Sequence, residues 1–123
     1  MAAPNLVSAS TINGKTTTVN LSTTSATSVL SNAASSGKVL KVNSLYVANT
    51  TATAVNITIN QYSAAALGGT AFPIASTIAV PGNATLVVID KDAYVYLEEN
   101  TSLGATAGTS SALQIVCSYE DIS

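Results

Sequence analysis

The chain has no histidine, no arginine and no tryptophan, and only one cysteine and one phenylalanine. Without histidine there is no His-based triad, no imidazole metal ligand and no imidazole pH switch. Four lysines face six acids for a net charge of −2. Phosphate contacts rest on Arg and Lys, so nucleic acid is not an expected partner. The single cysteine, Cys117, cannot form an intrachain disulfide. It falls in an apolar alternation, with no lysine close by to lower its pKa, and reads as a small core residue. Charge is scarce altogether: 8% of residues, against about 25% in ordinary soluble domains.

Ser and Thr fill the gap, at 33 of 123 residues, and 20 more are Ala. Free monomers are usually kept soluble by a mixed charged surface. A surface of Ser, Thr, Asn and Ala suits a subunit whose flanks are covered by neighbours. The length fits one domain with one core. The first ten residues have no basic region and no apolar stretch of signal length, so folding in a cytoplasm is expected. The longest run of large apolar residues is Leu86–Ile89, and no membrane partner is expected. Five Asn-x-Ser/Thr triplets, starting at Asn20, Asn49, Asn56, Asn83 and Asn100, follow from a composition rich in those residues.

Two textures divide the chain. Residues 1–37 carry isolated apolar residues, among them Ile12, Val19 and Leu21, in a Ser/Thr/Ala/Asn background. They read as an N-terminal arm or as edge strands. Residues 38–123 carry a dense alternation and read as the core domain. Lys38–Asn49 is apolar on both parities, as a central strand would be. Val55, Ile57 and Ile59 alternate with Asn56, Thr58 and Asn60, the period of a half-buried strand. Pro73 confines the Ile74–Val80 stretch to an edge or a bulge. Pro81-Gly82-Asn83 is a turn by residue type. Leu86–Ile89 reads as a strand buried on both faces. Tyr94–Leu97, Leu103–Ala107 and Leu113–Ser118 supply further strands, and no segment has a helical stripe. Seven or more short strands predict an all-β fold, an antiparallel β-sandwich of jelly-roll or Ig-like type with an extended N-terminal arm.

Few constellations point to chemistry. Asp90 and Asp92, then Glu98 and Glu99, form an acidic cluster whose spacing does not match an EF-hand loop. It reads as solvated charge at two turns, and no metal or cofactor is expected. A glycosidase carboxylate pair lacks the aromatic walls of a sugar cleft. Ser36 and Lys38 are close in sequence, which means little where Ser is so common. The tyrosines Tyr46, Tyr62, Tyr94, Tyr96 and Tyr119 fit protein contacts better than sugar stacking. Tyr94 and Tyr96 share parity and so share a sheet face. The expected interface residues are therefore Tyr94, Tyr96 and Tyr46, with Ile12, Val19 and Leu21 of the first region. Ile122, in the acidic end Glu120–Ser123, is expected to hang free or to dock on a neighbour.

The runs Val42–Asn49, Val55–Tyr62, Leu86–Asp92, Tyr96–Glu99 and Ser118–Glu120 together resemble small virion structural proteins of tailed phages, in particular phages of marine cyanobacteria. The Ile-Asp-Lys-Asp and Tyr-Leu-Glu-Glu segments are the more distinctive parts, and residues 1–37 lie outside the likeness. The resemblance implies a noncatalytic particle component and carries no functional-residue motif. The expectation is a capsid decoration (cement) protein in the virion, assembled in the host cytoplasm. Its expected partners are other virion proteins, the major capsid protein first, and further copies of itself. A neck, tail or fibre-associated component is the alternative within that class. A cell-surface or carbohydrate-binding module is the alternative outside it.

Overall fold

The computed structural model describes residues 5–123. Nine strands follow in chain order: β1 (Ile12–Leu21), β2 (Thr27–Asn32), β3 (Val39–Asn49), β4 (Val55–Ala64), β5 (Gly68–Val80), β6 (Thr85–Ile89), β7 (Val95–Leu97), β8 (Thr101–Ala107) and β9 (Leu113–Ile122). All pairings are antiparallel. One sheet runs β1-β9-β3-β6, with β7 also on β3; the other runs β2-β8-β4-β5. This interleaved order is the double-sheet jelly roll, not the Ig arrangement. The sandwich expected from the alternation is present.

β3 is the central strand its two-sided pattern predicted. It lies between β9 and the shared edge formed by β6 and β7. β4 buries Val55, Ile57 and Ile59 and turns its Asn and Thr residues outward. Between the sheets, Leu45, Ile57, Leu97, Leu103 and Ile115 are almost wholly excluded from water. Each such side chain contributes about 1.5–3 kcal/mol by leaving water. β1 and β2 are edge strands, one of each sheet, with Leu21, Val29 and Leu30 inside the core. Residues 1–4 of the expected arm lie outside the described residues.

Pro73 sits on β5, a sheet edge whose register with β4 breaks three times. Pro81–Ala84 forms the expected turn, with the Ala84 N–H donating to the Pro81 carbonyl at 3.2 Å. A side chain at Gly82 would overlap the Ala52 carbonyl oxygen, which fixes glycine there. One expectation fails locally. Leu86–Ile89 is not buried on both faces: Val87 is 49% exposed because it points to the outer face of its sheet, which no second layer covers among the described residues.

Two buried asparagines tie loops to strands. Asn32 donates its amide to the Lys38 and Leu97 carbonyls, at 2.9 and 3.0 Å. Asn49 donates to the Thr53 and Val80 carbonyls, at 2.8 and 3.0 Å. Among the described residues no buried side-chain nitrogen or oxygen lacks a partner. Buried polar groups that are fully paired add rigidity without the cost of an unmade bond.

Candidate interaction surface

The outer face of the β1-β9-β3-β6 sheet gathers most of the expected contact residues. Tyr46 lies between buried Leu45 and Val47, so its side chain is on the opposite, outer face. Val116 lies likewise between buried Ile115 and Cys117. Val87 and Val116 are the cross-strand partners of Tyr46 on either side, and Thr18 follows on β1. Tyr46, Val87 and Val116 are 39%, 49% and 37% exposed. Together they make an apolar row across three strands, open to solvent. Directly opposed side chains on a sheet are within contact range.

Polar and charged groups rim this row. Tyr96, Lys41 and Glu120 form a parallel row on β7, β3 and β9. The Lys41 ammonium lies 4.5 Å from the centroid of the Tyr94 ring, a cation–π contact. Tyr94 and Tyr96 meet edge to face at 5.5 Å and 87°. Asn43 donates its amide to the Glu120 carboxylate at 3.2 Å. A recess of about 630 Å³ opens among Lys41, Asn43, Tyr46, Val87, Asp90, Lys91 and Glu120. An apolar centre with a polar rim is the anatomy of a protein contact.

The first-region candidates part company. Ile12 is exposed and Val19 is half-buried against the core. Leu21 is fully buried, because its parity on β1 points between the sheets, so it is not available as a contact. Ile122 neither hangs free nor docks elsewhere. β9 runs to Ile122, which is buried between its partners Ile12 and Val39.

A second cluster was not visible in the sequence. Asp121 is nearly buried and accepts from Lys15 at 3.0 Å and Lys38 at 3.2 Å. Burial alone would raise its pKa, but the hydrogen bonds from Lys15 and Lys38, aided by their charges, hold it below the ordinary 3.8. The hydrogen bond to Asp121, then its charge, lifts Lys15 above 10.5. These groups line a cleft of about 340 Å³ with Asn32, Ser36 and Tyr119 at one end of the sandwich. The lysines and the acid are 106 and 83 residues apart in the chain, so only the closed sheet unites them.

The other candidates are engaged in structure. The Asp90 carboxylate caps its own turn, accepting from the Asp92 and Ala93 N–H groups. Glu99 accepts from the Gly37 N–H. No three His, Cys, Asp or Glu residues among those described are grouped to hold a metal. Ser36 bonds to Asn32 while the Lys38 ammonium is held by Asp121. Cys117 is wholly buried, and burial pushes its thiol up to about 11.

No protein-family model and no curated protein matches the chain. Its fold is similar to a solved structure described as "Bacillus endospore appendages form a novel family of disulfide-linked pili". The TM-score is 0.52 at 16% identity, over 90% of this chain and 87% of that one. At that identity the likeness establishes a shared fold and nothing finer.

Proposed function

We propose that this chain is a noncatalytic virion structural protein, a capsid decoration subunit of a tailed phage. The observation that carries the reading is the exposed Val87–Tyr46–Val116 row on a sheet face with a polar rim. In a chain with so little charge, that face gains more from burial against a neighbour than from water, at roughly 25 cal/mol per Å² before binding costs. The sequence likeness to phage virion proteins supplies the kind of assembly. The similar fold in the structure described as that of endospore appendages lends general support to a structural role. Disulfide linkage is not part of this reading, because the one cysteine is inside the core.

Sugar binding is the weaker reading. Tyr94 and Tyr96 meet edge to face, and Lys41 already covers one ring. They do not offer a flat stacking platform.

The test is copy number and incorporation. Gel densitometry of purified particles is expected to find hundreds of copies. Six to a few dozen would move the protein to the neck or tail, and none would overturn the virion reading. Tyr46→Lys, which puts a charge in the middle of the row, is expected to abolish incorporation with little change in melting temperature. Full incorporation of that variant overturns the docking face.

A further inference from the structure

We propose that β1 is a pairing edge, and that it takes the β1 strand of a second copy in antiparallel, two-fold register. The inference goes beyond the virion reading and concerns the isolated chain. A jelly roll has four strand edges, and three of these are blunted. β2 is six residues long and its register shifts between Ser28 and Leu30. β5 is long, but Pro73 has no N–H, its register breaks three times and Thr77 takes a positive φ of 52°. β6 and β7 share an edge but are five and three residues long, separated by a charged turn. Short strands, proline and bulges are the devices that stop a sheet from growing.

β1 has none of them. It pairs with β9 in unbroken register for ten residues, from Ile12–Ile122 to Leu21–Leu113. Among the described residues β9 is its sole ladder partner. Half of its backbone groups therefore face outward as an unpaired ladder. Its one charge, Lys15, is paired with Asp121, which also holds Lys38.

The strand is also complementary to itself. A two-fold axis normal to the sheet keeps outer residues outer, so opposed residues must share parity. An axis at Thr17 sets Thr17 opposite Thr17, Thr16 opposite Thr18, and Lys15 opposite Val19. No like charges meet, and Thr–Thr pairs are favourable across strands. The outer faces of the two sheets become continuous, which brings two copies of the Tyr46 row onto one surface. Ten residues a side is a small contact, at the low end of protein interfaces. The free dimer is accordingly weak and gains strength by repetition in an assembly.

Cysteine cross-linking of the full chain tests this. At an antiparallel crossing, Cα atoms stand about 4.5–5.5 Å apart, within disulfide reach. Thr17 stands opposite Cys117 on β9, so the variants are made in a Cys117→Ala background; there Thr17→Cys at about 1 mM protein under mild oxidation is expected to give a covalent dimer. Thr16→Cys and Thr18→Cys are expected to cross-link only when mixed. Thr70→Cys on the β5 edge is expected to stay monomeric. Sedimentation of the unmodified chain at the same concentration is expected to report a dimer fraction. No dimer from any β1 variant, or equal cross-linking at Thr70, overturns the proposal.

Discussion

Asn49 offers the sharpest check on how the sandwich is held. Its side chain makes four hydrogen bonds while the residue is 3% exposed. The amide donates to the Thr53 and Val80 carbonyls, and the oxygen accepts from the Thr51 N–H at 2.9 Å and the Thr51 hydroxyl at 2.7 Å. Asn49→Ala removes all four. At about 1 kcal/mol net for each, and with the Thr51 and Thr53 groups partly able to rehydrate, the loss is about 3 kcal/mol. For a domain of this size that is a fall in Tm of roughly 10 °C. Asn49→Asp tests the direction of the bonds. A carboxylate there aims an oxygen at two carbonyls, so it costs more than Ala at neutral pH. Its folded pKa is raised, which makes the excess cost absent below about 3.9, the ordinary Asp value. The excess then grows as pH rises to the folded value. Denaturant melts across pH read both effects. Asn56→Ala, an exposed position on β4, is the control and is expected within about 0.5 kcal/mol of the parent. If Asn49→Ala melts with that control, the buried amide does not hold the loops as argued.

Two further outcomes follow from the titrating groups. The Asp121 clasp contributes stability fully above its ordinary value of 3.8, and this is lost as pH falls through the lower folded value. The Lys15 contribution is complete below 10.5 and is lost as pH rises through its raised folded value. The melting difference between the parent and Asp121→Asn is therefore expected to be flat between those pH values and to shrink outside them; a difference that does not vary with pH refutes the clasp. Cys117 is expected to resist thiol reagents in the native state and to react at the rate of unfolding. Rapid stoichiometric labelling of the folded chain contradicts its burial.

Local chemistry in the sequence determined the strands. The Val55–Ile57–Ile59 alternation, the two-sided Lys38–Asn49 pattern, Pro73 at an edge and the Pro81–Gly82–Asn83 turn each depend on neighbours within a few residues. A side-chain period of two or a fixed φ is legible at that range. The candidate contact face was legible in part. Tyr94 and Tyr96 shared parity, and Val116 stood as an apolar residue on the polar parity of its strand, which was the available signal for the row. Only the tertiary structure decided the rest. It fixed the jelly-roll order over the Ig-like one, because alternation names a face but not a neighbour. It buried Leu21 and Ile122 and exposed Val87, because solvent access depends on which face a residue takes in the closed sandwich and on what its cross-strand partners cover. It joined Asp121 to Lys15 and Lys38, since an ion pair forms wherever closure of the sheets brings opposite charges together, whatever their separation along the chain.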